Sequence, residues 1–218
     1  MTAPSAQRSP FIDTSNAMIL LVDCQPGLSL AAESRSHQAL VNNVVALART
    51  AAVFEVPIIA TTSATQRASG QMWPALREAL TDPPMERHAL NAYNDDDVRQ
   101  AIRATGRDTV LIAGLLTEAC VSFPALSMVG ADYVPYIVAD CCAGFNAETH
   151  ELALGRASAV GVGLTSWIQL LLEWQGDWTH TRTYAGAVAI LAEFGGAYGL
   201  ELQHARDMLT SPAATPKD

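Results

Sequence analysis

Lysine is almost absent from this chain: Lys217 is the only one in 218 residues, and it is the last residue but one of the sequence. Any cation that works beside a reactive side chain further inside must therefore be an arginine or a histidine. Acidic residues outnumber basic ones 22 to 13, the net charge is −9, and no basic cluster occurs. A nucleic-acid partner, which needs a positive footprint, is excluded on that ground. An anionic membrane surface is an equally poor match. No run of about 18 apolar residues exists, so no helix is expected to span a bilayer. Met1–Pro10 is polar and lacks the apolar stretch of a signal peptide. The cysteines Cys24, Cys120, Cys141 and Cys142 show no zinc-knuckle spacing, and adjacent Cys141 and Cys142 are poorly placed to pair. Reduced thiols and a cytoplasmic location are the simplest reading. No two of the histidines His37, His88, His150, His180 and His204 lie three to five residues apart, so no metal site is expected. Phosphate-binding glycine patterns are missing as well. The first apolar run leads into Asp-Cys-Gln-Pro-Gly, and Gly155–Gly163 has no GxGxxG spacing, so no cofactor is expected.

What the chain does contain is apolar sequence in short, evenly spaced pieces. Half of its residues are hydrophobic, enough for one large domain with a substantial core. Residues 1–14 and 210–218 read as loose tails around a domain spanning 15–209. Ala17–Val22, Val56–Ala60, Thr109–Ala113 and Val134–Ala139 are continuous apolar runs rather than alternating ones, as expected of strands covered on both faces. Helical patterns over Ser36–Val53, Asp95–Thr105, Glu118–Gly130, Ala147–Val160 and Thr165–Trp174 fall between or after them. The three aspartates that open the second of these favour a helix N-terminus. Alternating strands and helices with short links predict an α/β fold, a three-layer α/β/α sandwich around a mostly parallel, Rossmann-like sheet. Ligands in such sheets bind beyond the carboxyl ends of the strands. Asp23, Thr62, Leu116–Cys120 and Asp140 follow strand runs and are expected to share that rim.

Three residues there could carry chemistry. Cys120 follows a strand and a turn and so sits near a helix start. Unpaired N–H groups and positive potential at that position favour a thiolate and could hold an oxyanion. A free cysteine is equally at home as a small core residue. Asp23 ends a wholly apolar strand, where a carboxylate needs either a partner or a task. Beside a thiol it could take the proton and return it; a loop or cap aspartate is the structural alternative. Arg87, in ERHALNAY, offers a permanent charge that cannot shuttle protons, so its part would be electrostatic; otherwise it is a surface arginine. His150 falls on a helix and reads as structural. Trp167, Trp174 and Trp178, at roughly helical spacing, read as core or subunit interface.

Taken together, these segments resemble the isochorismatase-like cysteine hydrolase superfamily. The resemblance runs from about Ala17 to Trp178. It is carried by MILLVDCQPGL, by ERHALNAYNDDDVRQAIRATGRDTVLIAGLLTEACVSFPALS and by YVPYIVADCCAGFN with the later LTSWIQLLLEWQGDW. The spacing Gly114-x-x-Thr117-x-x-Cys120-Val121 is the most specific part, and LTEACVSFPALS is similar to a metal-independent bacterial subgroup. The resemblance implies an Asp23–Arg87–Cys120 triad, with Arg87 where the superfamily has lysine. It also implies a non-proline cis peptide just before Thr117 and an oxyanion hole from the N–H groups of Thr117 and Cys120. Gln25, Trp73, Tyr93 and Phe145 are the candidate pocket walls. The metal motif of related nicotinamidases is replaced by TTSATQRASGQMW, so neither metal nor nicotinamidase activity is expected. The function implied is hydrolysis of a small amide-like or ester-like substrate through a Cys120 thioester. A silent binding or scaffold protein of the same fold is the alternative from another class, and an isochorismate-type vinyl-ether hydrolase is a third. Apolar Leu164–Trp178 and Tyr184–Leu200, with the subgroup's habit, predict a homo-oligomer, a tetramer or an octamer.

Overall fold

In the computed structural model, which describes residues 10–210, the run Ala17–Val22 forms strand β1 with every residue buried. A short helix α1, Pro26–Ser29, and the long α2, His37–Val53, follow. Next come β2 (Ile58–Ser63), α3 (Pro74–Glu78) and β3 (Met85–Arg87). Helix α4 spans Asp96–Ala104 and leads into β4, Thr109–Leu115. A π-helical turn, Thr117–Val121, opens α5, Ser122–Val129. The remainder is β5 (Val134–Ala143), α6 (Ala147–Ala159), β6 (Gly163–Thr165), α7 (Trp167–Gln175), α8 (Thr181–Phe194) and α9 (Ala197–Thr210).

The six strands form one sheet in the order β3-β2-β1-β4-β5-β6, and every neighbouring pair is parallel. Successive connections run outward from β1 in one direction and, after β4, in the other. Right-handed crossovers then put helices on both faces. Helix α2 packs with α3, α7 and α8, while α5 packs with α6. The order reverses between β1 and β4, so a crevice opens beyond their carboxyl ends. Helix starts are capped by local chemistry. Ser36 Oγ accepts from the Ala39 N–H, Asp95 accepts from Asp97 and Val98, and Ser166 accepts from Gln169.

Several boundaries differ from the sequence reading. β2 starts at Ile58 and runs through Ser63, because Thr61 and Thr62 are buried against β1 rather than forming a turn. β3 and β6 are three-residue edge strands, too short to show a period. β5 continues to Ala143 because its pairing with β4 slips: Ile112 faces Ile137, but Gly114 faces Cys142. Asp140 therefore lies inside a strand and not at its tip. Its Oδ1 accepts from the Trp167 N–H at 3.0 Å, which ties β5 to the start of α7. The expected loose tail 1–14 is anchored from Ile12 onward. Ile12 is buried, its carbonyl accepts from Trp174 Nε1 at 3.0 Å, and its N–H donates to Glu173. The rest of both predicted tails, residues 1–9 and 211–218, lies outside the described residues. Among the described residues no single helix is long and apolar enough to cross a membrane.

Gly114 is where β4 can least accept a side chain. Its φ is +127°, and a Cβ would meet the Val22 carbonyl of β1, with the carbonyl carbon 2.8 Å away. Gly114→Ala combines left-handed strain with a backbone clash at the centre of the sheet. It should lower stability by about 3 kcal/mol or more in urea unfolding; a loss below about 1 kcal/mol would show that β1 and β4 can part at this point.

Candidate active site

The site begins with a strained turn. β1 ends at Val22, and Asp23 takes φ +52°, a left-handed conformation that aspartate tolerates better than most residues. Its N–H is held by the Thr61 carbonyl at 3.0 Å, and its carbonyl accepts from the Gln25 N–H at 2.7 Å. The side chain is thereby fixed above the centre of the sheet with no exposure to solvent.

β3 delivers the cation. Parallel pairing sets Arg87 beside Ser63, and strand alternation sends Arg87 inward while Glu86 and His88 face solvent. Arg87 is 1% exposed and is among the largest fully buried side chains. Its Nη2 donates to Asp23 Oδ2 at 2.5 Å, its Nε to Thr61 Oγ1 at 3.2 Å, and its Nη1 to the Ala89 carbonyl. Each nitrogen of the guanidinium thus has a partner. Asp23 Oδ1 takes no conventional hydrogen bond and is left as the free acceptor of the pair. A buried pair of this kind is held in place by mutual need: removing one partner strands the other charge, at a cost of about 3–5 kcal/mol.

Cys120 lies in the π-helical turn at the start of α5 and is 7% exposed. Its thiol lies close enough to Asp23 and Arg87 to feel both charges. Burial, then the Asp23 carboxylate, outweigh Arg87, and the thiol is pushed up to about 11. The sequence reading expected a helix start to favour thiolate. The shift runs the other way, because desolvation and then the neighbouring carboxylate dominate. The peptide bond between Leu115 and Leu116 is cis, one bond earlier than the link into Thr117.

The turn is also gripped from α6. Thr117, fully buried, places Oγ1 2.8 Å from His150 Nδ1, and its carbonyl accepts from Ser122 Oγ at 2.5 Å. Burial, then the Arg35 charge, hold the His150 imidazole below its ordinary range. Glu118 reaches to the loop after β5, where Oε1 accepts from the Phe145 N–H at 2.9 Å and from the Thr149 hydroxyl. Glu118 and Thr61 carried no assignment in the sequence. No spacing rule singles out either one, because both act through tertiary neighbours.

The four expected pocket walls do not behave alike. Gln25 is fully buried and engaged with backbone: Nε2 donates to the carbonyls of Ser63 (2.9 Å) and Gly70 (2.5 Å), and Oε1 accepts from the Ser63 N–H at 2.9 Å. It clamps the loop after β2 and has no group left for a ligand. Trp73 packs close to the turn after β1. Its backbone N–H reaches the Cys24 carbonyl at 3.0 Å, Nε1 reaches Ser29 Oγ at 3.0 Å, and the ring lies edge-on to His37. Phe145 is half exposed at the rim, directly after β5. Tyr93 is elsewhere: it stacks edge-on with Tyr133 and lines a cavity with Arg103, Arg107 and Asp108, at the amino-terminal edge of the sheet. The short helix after β3 carries it down past α5, where Asn91 Nδ2 bonds Ser127 Oγ. Asp23, Arg87, Cys120 and Thr117 are brought together; Tyr93 is not. Among the described residues no three His, Cys, Asp or Glu side chains are grouped as a metal site.

Comparison with known proteins identifies the family and the fold. Residues 17–169 match the model of the isochorismatase domain family. The chain is 35% identical over 171 residues to a probable hydrolase, YcaC, of Escherichia coli K12, covering 78% of this chain and 82% of that one. The crystal structure of the Escherichia coli YcaC product, an octameric hydrolase of unknown specificity, superposes with a TM-score of 0.87 at 33% identity, covering 94% of this chain and all of that one. YcaC from Pseudomonas aeruginosa, solved with hexane-2,5-diol and covalent acrylamide, superposes with a TM-score of 0.86 at 32% identity, covering 92% and 100%.

The other three cysteines differ from Cys120 in access. Cys24, Cys141 and Cys142 have no solvent exposure, and burial pushes each thiol up, Cys142 to about 12. Iodoacetamide at neutral pH should therefore label Cys120 alone in the native protein and all four in urea. Peptide mapping that finds Cys24 or Cys141 labelled before Cys120 would overturn the assignment.

Proposed function

The chain belongs to the isochorismatase family and is a hydrolase of the YcaC type, and on that premise we propose that it cleaves small amide-like or ester-like substrates with Cys120 as nucleophile. The observation that carries this reading is the placement of a neutral Cys120 thiol against the buried Asp23–Arg87 pair. A thiol with a pKa near 11 is almost wholly protonated at neutral pH, so its attack requires a base at contact distance. Asp23 is that base. It is paired with and held in place by Arg87, which cannot itself give up a proton.

The steps follow from these roles. The Cys120 S–H proton passes to Asp23 as sulfur bonds to the substrate carbonyl carbon. The oxyanion is received by N–H groups of the turn at the start of α5, those of Thr117 and Cys120. The C–N or C–O bond then breaks, the leaving group takes the proton from Asp23, and a thioester remains on Cys120. A water gives a proton to Asp23 and attacks the thioester. Sulfur departs and recovers that proton, restoring the resting site. Phe145 and Trp73, apolar and near the rim, suit a small substrate with little charge. Exposed Trp178, Tyr184 and Tyr198 on and before α8 and α9, with an octameric relative, support a homo-oligomer, a tetramer or an octamer.

Intact-mass spectrometry after incubation with a panel of amides, hydrazides and carbamates tests the reading. An acyl adduct that maps to Cys120 and turns over is the expected result; a protein that never acylates, whatever the substrate, would be a silent member of the family. The charge on Arg87 is tested by substitution. Arg87→Lys should retain measurable activity, whereas Arg87→Met should lose about 100-fold in kcat/KM, roughly 2.7 kcal/mol of transition-state stabilisation. Full activity in a folded Arg87→Met variant would make Arg87 a bystander.

A further inference from the structure

The nucleophile turn is braced at two neighbouring points of one helix start. Thr117 meets His150, and Glu118 meets Thr149 and Phe145. Thr149 already belongs to a capping box, in which Asn146 Oδ1 accepts from the Thr149 N–H at 2.9 Å. Glu118 thus attaches the turn to a helix terminus that is closed and rigid in its own right, with its negative end where the α6 dipole favours it.

Gly144 makes the attachment tight. A Cβ at Gly144 would fall on the Glu118 carboxyl group, so the carboxylate rests directly on bare backbone. That backbone is itself pinned: the Gly144 N–H donates to Ser34 Oγ at 2.9 Å, and its carbonyl accepts from the N–H groups of Glu33 at 3.0 Å and Ser34 at 3.2 Å. Glu118 Oε2 is buried and has no hydrogen-bond partner. A carboxylate oxygen out of water without a donor is costly, so stability alone does not account for a glutamate here. The triad's charge balance does not account for it either, since Arg87 and Asp23 already satisfy each other.

We propose that Glu118 is a positioning residue: braced on Gly144 and on the first turn of α6, it fixes the Thr117–Cys120 turn so that the thiol stays against Asp23 and the turn's N–H groups converge on one point. This rests on the reading of Cys120 as nucleophile. Misplacement of a reacting group by about 1 Å can cost as much as 100-fold in rate, so a brace two residues from the sulfur is well placed to matter.

The test uses acrylamide as the probe. The rate of Cys120 alkylation is followed by intact mass from about pH 6 to pH 9, with thermal melting measured in parallel. Glu118→Ala should slow alkylation by about tenfold or more and change its pH profile. Glu118→Gln, which keeps the Oε1 acceptor, should stay within about threefold of wild type. Gly144→Ala, which displaces the carboxylate, should match Glu118→Ala, and adding it to Glu118→Ala should cost nothing further. A wild-type rate and profile in Glu118→Ala would overturn the proposal, as would losses that simply add in the double variant. Should Glu118→Ala fail to fold, Gly144→Ala decides, and a wild-type rate there overturns it. A wild-type protein whose Cys120 resists acrylamide altogether would instead sink the nucleophile reading, which is a separate result.

Discussion

A guanidinium and a carboxylate, both sealed from water and 2.5 Å apart, set the terms for everything at the carboxyl end of this sheet. Neither charge is tolerable there alone. Arg87 holds the Asp23 carboxylate in place, and burial, with the Asp23 charge, pushes the Cys120 thiol up. On the proposed reading this sets a base beside a protonated nucleophile. The pair also explains the shape of its surroundings. Thr61 points its hydroxyl at Arg87 Nε, the Ala89 carbonyl takes Nη1, and Asp23 accepts a left-handed backbone to present its side chain.

The sheet makes this arrangement possible. Three strands bring the groups together: β1 leads directly into Asp23, β2 carries Thr61, and β3 ends in Arg87. β4 then leads through a short link to Cys120. In a parallel sheet all four arrive from the same side, which is why residues 23, 61, 87 and 120 meet. The polar groups at the ends of the central strands bond one another and the backbone, with Asp23 Oδ1 the exception. The bulge in β5 lengthens that strand, carries Asp140 away from the rim, and leaves Gly144 and Phe145 in the loop that Glu118 holds.

Much of this was legible in the residues. Continuous apolar runs marked the four longer strands, and helix caps such as Asp95 were visible as polar residues ahead of periodic patterns. Asp23 and Cys120 stood out because each ends or follows an apolar strand at a fixed spacing. Arg87 stood out because lysine is missing. Three things were hidden. Edge strands of three residues carry no period, so β3 was not seen, although it is what turns Arg87 inward and Glu86 outward. Thiol acidity depends on desolvation and on a carboxylate distant in sequence, so a helix-start argument predicted the wrong direction for Cys120. Side-chain direction was also unreadable: Gln25 spends all its polar atoms on backbone, and Tyr93 faces the opposite end of the sheet.

The central claim is that Cys120 rests as a neutral thiol because it is buried and Asp23 stands beside it. It is tested most directly by titrating ultraviolet thiolate absorbance in the wild-type protein against a Cys120→Ala blank. The account predicts no Cys120 thiolate up to about pH 9, and in Asp23→Asn a titration displaced downward by about one unit or more, because the charge that opposes ionisation is gone while Arg87 remains. A Cys120 thiolate already formed near pH 7 in the wild-type protein, or a titration that Asp23→Asn leaves unmoved, would contradict it.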